Sequence, residues 1–241
     1  EGLTADRFRS LIDAVLPAAR LWPDPLPASR REARGLLARD QALVAIHRPD
    51  TSQQLQEARH RLVFDEFLLL QLSLMQRRAA LRLRSAPVLD GGSEREGLVG
   101  RFLSLLPFEL TGAQKRVLSE IEQDLERPEP MARLVQGDVG SGKTVVAIAA
   151  LLRAVEAGWQ GALMAPTEVL AAQHYRSLCS WLPPLHVSVE LLTGSTPRRS
   201  RQRILSDLAG GTLRILVGTH ALLEDPVAFD RLGLVVVDEQ H

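Results

Sequence analysis

Hydrophobic and polar positions change rhythm once along this chain. To about residue 96 the apolar side chains recur at helical spacing. The spacing predicts a helix over Ala5–Val15. Pro17, Pro23, Pro25 and Pro27 then break the pattern, so Leu16 to Ala28 reads as an irregular connector. Ser29 is placed to cap a helix running from Arg31 to Leu37. From Gln53 to Arg84 breakers are few, and Leu55, Ala58, Leu62, Phe64, Phe67, Leu68 and Leu72 follow the period of a long helix. Asp90, Gly91, Gly92 and Ser93 read as a linker.

Beyond about Gly97 short β-branched runs alternate with helical segments. Helices are predicted over Thr111–Leu125 with Thr111 as cap, Lys143–Glu156, Glu168–Trp181 and Arg198–Leu208. Strands are predicted at Ala132–Gln136, Gly161–Ala165, Val187–Leu192, Leu213–Val217 and Leu234–Val237. This alternation predicts an α/β fold: a parallel sheet flanked by helices, preceded by a helical N-terminal segment (1–96, then 97–241). Ligands of such sheets meet the carboxyl ends of the strands. No internal repeat or low-complexity tract is visible.

Composition adds constraints. Of the 241 residues 45% are hydrophobic, enough to fill a core. The formal net charge is zero, which argues mildly against a dedicated nucleic-acid binder. It leaves room for a motor that grips phosphates with backbone and hydroxyls. Cys179 is the only cysteine, so no disulfide forms within the chain, as suits a reducing cytoplasm, and it reads as core. The longest apolar run, Phe67 to Met75, is broken by Gln71 and falls short of the roughly 20 residues of a membrane span. Arg77, Arg78, Arg82 and Arg84 read either as a solvated helix end or as contacts to a nucleic-acid backbone. Trp159, Tyr175 and Trp181 read as core, although aromatics can stack bases. His174, His186 and His220 lack metal-ligand spacing. The chain starts at Glu1 and stops at His241, directly after an acidic pair, so a fragment of a longer protein is expected.

The chemistry concentrates in two motifs. Gly137-Asp138-Val139-Gly140-Ser141-Gly142-Lys143-Thr144 fits G-x-x-x-x-G-K-[ST] between a predicted strand and helix. Glycines let backbone N–H groups turn inward around phosphate oxygens, and the helix aims its N-terminus at the anion. Lys143 would reach the β- and γ-phosphates and Thr144 would ligate Mg²⁺. The apolar strand Leu234–Val237 runs straight into Asp238 and Glu239. Asp238 is placed to hold Mg²⁺ through its water shell, and Glu239 to activate the attacking water. The reverse assignment of the two carboxylates stays open. ATP with Mg²⁺ is the ligand expected, and Lys143, Asp238 and Glu239 are the catalytic candidates.

With Gln240 and His241 the acidic pair spells DEQH, which resembles motif II of the DExH branch of superfamily 2 helicases. Phe108-Glu109-Leu110-Thr111-x-x-Gln114 resembles the adenine-reading motif of that group, with Phe108 on the base and Gln114 on its edge. Ala165-Pro166-Thr167-Glu168, Thr193-Gly194-Ser195 and Gly218-Thr219-His220 resemble the motifs that line the DNA path. By that resemblance Pro166, Thr167, Thr193, Gly194, Thr219 and His220 touch DNA phosphates, positioning rather than reading sequence. Alone, Thr193-Gly194-Ser195 reads as a turn. Gln240 and His241 would couple this lobe to a second one. The strings QGDVGSGKT, MAPTEVLAAQH, VGTHALL and DEQH are similar to the RecG group, with the transcription-repair coupling translocases as the alternative.

The resemblance implies a first RecA-like lobe over residues 97–241, truncated at motif II, after a helical linker region that follows an absent DNA-engaging wedge domain. It implies an ATP-dependent helicase or translocase of a bacterial cytoplasm, monomeric, without a membrane, acting on branched duplex DNA such as stalled forks and Holliday junctions. A second lobe in cis would complete the catalytic cleft, so the chain alone is expected to bind nucleotide weakly and hydrolyse it slowly or not at all. A small-molecule P-loop enzyme and a nucleotide-binding module without helicase activity are the competing readings.

Overall fold

The computed structural model describes residues 4–90 and 97–239. Its chain forms two compact units that divide between Ala80 and Leu81.

The first unit is helical. Helix α1 covers Ala5–Val15 as predicted, with the Thr4 hydroxyl accepting from the Arg7 amide. A 3₁₀ turn at Leu16–Leu21 follows, so part of the predicted connector is ordered. Helix α2 is short, Ala28–Glu32, and starts behind Pro27. The expected cap at Ser29 and helix to Leu37 are not found. Pro27 caps the helix two residues earlier and fixes its entry angle, and Gly35, at φ 62°, turns the chain away. Helix α3, Arg39–His47, was not foreseen, and α4 runs over Ser52–Arg82.

Helix α4 does not bury the face its apolar residues suggest. Its buried positions are Ala58, Arg61 and Asp65, while Phe67 and Met75 stand 61% and 65% exposed. Arg61 is fully buried and answers four acceptors. It donates to Asp24 Oδ1 at 2.5 Å and Oδ2 at 3.1 Å, to Asp65 Oδ1 at 3.0 Å and to the Leu37 carbonyl at 2.6 Å. Burial pushes the Asp24 carboxyl up, but the Arg61 hydrogen bonds and the Leu26 and Arg39 amides outweigh it and hold the group well below the carboxylate range. One polar cluster therefore joins the 24–39 segment to α4. The small apolar cluster of Ala42, Ala45 and Ala58 lies between α3 and α4.

The second unit holds the sheet. Helices α5 (Leu98–Leu105), α6 (Gly112–Leu125) and α7 (Lys143–Glu156) come first, followed by strand β1 (Gln160–Met164), helix α8 (Glu168–Trp181), strand β2 (Val189–Leu192), helix α9 (Arg198–Ala209) and strands β3 (Ile215–Gly218) and β4 (Leu232–Val237). The strands are parallel in the order β2-β3-β1-β4. Helix α7 packs on β1 and β4, and α8 on β2 and β3. Their inward faces, including Ile148, Leu151, Leu152, Ala171 and Leu178, meet Leu163, Ile215 and Val217 in one core. Gln160 enters that core fully satisfied: its Nε2 donates to the Leu208 and Leu213 carbonyls and its Oε1 accepts from the Arg231 amide. Through it the start of β1 is tied to the end of α9 and the start of β4.

Residues 132–136 form no strand; among the described residues the sheet ends at β4, and nothing there supplies the ladder partner a strand requires. Cys179 is exposed rather than core, because it lies on the outward face of α8 next to buried Leu178. Trp159, Tyr175 and Trp181 do pack against the core, with Trp181 edge-on to Phe102. No described helix is long and apolar enough to cross a membrane.

Candidate nucleotide-binding site

Strand register decides where the functional loops lie. Leu192 is level with Gly218, Gly218 with Met164, and Met164 with Val237. All four carboxyl ends therefore share one edge of the sheet. The next residues are Thr193-Gly194-Ser195, Thr219-His220, Ala165-Pro166-Thr167-Glu168 and Asp238-Glu239, the segments singled out in the sequence. Two bonds past the strand ends hold this edge together: the Ala165 amide donates to the Gly218 carbonyl at 2.9 Å, and the Asp238 amide to the Met164 carbonyl at 2.8 Å.

The phosphate loop leads into α7, whose first residue is Lys143. Gly140 and Gly142 take φ 80° and 81°, conformations open to glycine and strained for other residues. At Gly142 a Cβ would also sit 2.3 Å from Gln114 Nε2, so any side chain there would displace the Gln114 amide. The first amides of α7 have no intrahelical acceptors, which is what an anion requires. Lys143 Nζ donates to the Gly137 and Asp138 carbonyls at 2.7 and 2.9 Å, so the ammonium is held by its own loop. A phosphate oxygen would compete with those carbonyls for it. Thr144 follows on the first turn, and Val139 stands fully exposed at the loop tip. The residues present thus fit a triphosphate, and Thr144 with Asp238 supplies the oxygen donors a hard divalent cation prefers.

Thr111 caps α6 in a reciprocal box: the Gln114 amide donates to Thr111 Oγ1, and the Thr111 amide donates to Gln114 Oε1 at 2.8 Å. Gln114 Nε2 also donates to the Ser141 carbonyl at 2.8 Å. One side chain therefore joins the α6 cap to the phosphate loop. A primary amide keeps a second N–H and a second lone pair after these contacts, enough to meet a base edge. Phe108 is half exposed and borders a cleft of about 840 Å³ between α5 and α6, lined also by Leu103, Leu110, Lys115 and Ser119. That cleft contains no phosphate-loop residue.

At the far end of the same edge, Glu168 receives the Ser195 amide at 3.1 Å and the Ser195 hydroxyl at 2.7 Å. The Ser195 hydroxyl and amide hold its carboxyl below the ordinary range. Thr167 caps α8 by accepting from the Leu170 amide. Thr193 is buried, and its hydroxyl is engaged with Ser195 and Thr196 within the loop; Thr219 is buried as well. Pro166, Thr167, Gly194 and His220 are exposed. Gln240 and His241 lie outside the described residues.

His174 escaped the sequence reading, which looked for metal-ligand spacing. Its Nε2–H donates to Asp238 Oδ2 at 2.6 Å, with the His174 side chain 14% and the Asp238 side chain 31% exposed. A carboxylate in its ionised form can only accept, and toward that form His174 donates from Nε2. Glu239, next along, has φ 47°, a conformation that non-glycine residues seldom hold outside functional turns. The Asp238–His174 contact spans 64 positions, and only the pairing of β1 with β4 reveals it.

Comparison with known proteins agrees with this geometry. The family profile described as DEAD/DEAH box helicase matches residues 111–241. A Synechocystis protein named ATP-dependent DNA helicase RecG is 52% identical over all of this chain, which covers 29% of it. Its Bacillus subtilis namesake is 48% identical over all of this chain, which covers 35% of it. A solved structure of RecG bound to a three-way DNA junction superimposes on the whole chain with a TM-score of 0.81 and 38% identity, and the chain covers 33% of it. The chain thus spans about a third of the length of these relatives. A phosphate loop, an acidic strand end and a family match over more than half its residues together show that this chain belongs to the DEAD/DEAH box helicases, a family whose domain binds ATP.

Proposed function

We propose that the chain is the ATP-binding lobe of a translocase that uses ATP hydrolysis to remodel branched duplex DNA. The observation that carries this reading is the shared sheet edge, where the acidic strand end and the threonine-bearing loops follow level strand ends. The names of the relatives, and the junction in the solved RecG complex, supply the substrate class. In this reading residues 97–241 are the first RecA-like lobe, and 1–96 a helical linker region behind a wedge domain. The protein is monomeric and resides in a bacterial cytoplasm, as its bacterial relatives suggest.

The roles follow from position. Phe108, Thr111 and Gln114 receive the base; the backbone from Gly137 to Gly142 wraps the phosphates; Lys143 leaves its loop carbonyls to meet the terminal phosphates. Thr144 and Asp238 hold Mg²⁺, which supplies neutralisation of charge on the phosphates. Glu239 orients and deprotonates the attacking water. Pro166, Thr167, Gly194 and His220 present their exposed atoms to DNA phosphates, and buried Thr193 and Thr219 shape those loops. A second lobe in cis, to which Gln240 and His241 would couple this one, would add an arginine contribution worth about 10³–10⁵ in rate in related NTPases. The lobe alone therefore binds nucleotide and turns it over slowly at most.

The test is fork remodelling by the full-length protein. Wild type is expected to convert a synthetic fork to displaced strands with ATP, and Lys143→Ala to fail while still binding the fork. Remodelling by Lys143→Ala at the wild-type rate would overturn the assignment.

A further inference from the structure

Helix α8 touches three of the four strand ends. It begins directly behind β1, with Thr167 as its cap. Its first residue, Glu168, clamps Ser195 in the loop after β2 through two hydrogen bonds. Six residues on, about 9 Å along the axis, His174 holds Asp238 after β4. Between these contacts the helix is locked to the core by Ala171, and beyond them by Leu178, both fully buried. A rigid element is therefore anchored at one end to the loops assigned to DNA and along its length to the carboxylate assigned to the metal. We propose that His174 is a positioning residue for Asp238, and that α8 is the strut through which the DNA-side loops set that carboxylate.

The chemistry is simple. The His174 N–H occupies Oδ2 and fixes the carboxylate rotation, leaving Oδ1 for the water shell of a cation. Partners of this kind orient metal-binding carboxylates, and their loss typically lowers metal affinity or activity by about 10–100-fold. A movement of the Thr167–Glu168 end carries His174 with it, because a helix transmits rigid displacement along its axis. The direction of effect is reciprocal: what DNA does to nucleotide affinity, nucleotide does to DNA affinity. This inference rests on the ATP-and-DNA reading above.

The experiment uses the full-length protein and a fluorescent, non-hydrolysable ATP analogue. Affinity is measured with and without Mg²⁺, and with and without a synthetic fork, for wild type, His174→Ala and His174→Gln. Glutamine places an N–H near the position of Nε2. The expected result is a Mg²⁺ enhancement reduced by about 10-fold or more in His174→Ala, with Mg²⁺-free affinity and thermal midpoint kept. The effect of the fork on nucleotide affinity is lost in parallel, and His174→Gln recovers both ratios. Wild-type ratios in His174→Ala, or equal loss in alanine and glutamine variants, would overturn the proposal. A wild type with Lys143-dependent Mg²⁺ enhancement but no response to the fork would instead sink the DNA reading together with the strut, and leave only the local contact.

Discussion

Gln114 is where the base-side cap and the phosphate loop meet, so its removal should separate fold from function. Replacing it with alanine deletes two hydrogen bonds, from the Thr111 amide and to the Ser141 carbonyl. Replacing Thr111 with alanine deletes the bond from the Gln114 amide and leaves the contact to Ser141 in place. A net hydrogen bond is worth about 0.5–1.5 kcal/mol, and a helix cap about 0.5–2 kcal/mol. Both groups are partly solvated, so values near the lower ends apply, and the two variants should lower the urea midpoint by similar amounts. Affinity for the phosphate chain should split them. For inorganic tripolyphosphate, which has no base and is read by displacement of the fluorescent nucleotide, loss of about 1 kcal/mol of loop ordering weakens binding about 5-fold in Gln114→Ala, whereas Thr111→Ala should stay within about 2-fold of wild type. Displacement titration and urea unfolding of the same samples read both quantities. Equal tripolyphosphate affinity in the two variants would refute the claim that Gln114 organises the phosphate loop.

Other consequences are equally concrete. Arg61→Ala removes the buried partner of Asp24 and Asp65 but leaves Asp24 with Arg31 and two backbone amides and Asp65 with Arg39, so it should destabilise the first unit by about 3 kcal/mol in chemical denaturation, the lower end for a broken buried pair, whereas a triple apolar replacement of the three should recover most of it. Asp24 is held low by Arg61, so its stabilisation is complete above the ordinary carboxylate range and disappears as pH falls below it; the urea midpoint of Asp24→Asn should therefore fall less than that of wild type as pH is lowered through that range. Tyr175, the only tyrosine, is pushed up to about 12, by burial first and then by its hydrogen bond with Cys179. A folded value above the unfolded one of 10.0 means that its stabilisation is whole below pH 10 and is lost as pH rises toward 12, which tyrosinate absorbance during titration checks.

The α/β class and the motif-bearing loops were legible because they rest on short-range signals. α7 and α8 match their predicted bounds, since Gly142 and Thr167 mark their starts unambiguously. What the sequence hid depends on distant partners. Residues 132–136 have the residue types of a strand, but a strand exists only with a neighbour to pair with. Phe67 and Leu72 have helical spacing without burial, because periodicity reports a face and not what covers it. Cys179 sits one position from buried Leu178, and a hundred degrees of helix rotation separates core from surface. His174 had no local signature at all; its meaning came from β1 lying beside β4.

If this lobe binds ATP at Lys143 and DNA governs its use, both dependences must appear in ATP hydrolysis by the full-length protein, measured with and without forked DNA beside its Lys143→Ala variant. Hydrolysis stimulated by the fork and abolished by the substitution is the predicted result. Lys143-dependent turnover that ignores DNA and responds to a small-molecule acceptor would contradict it.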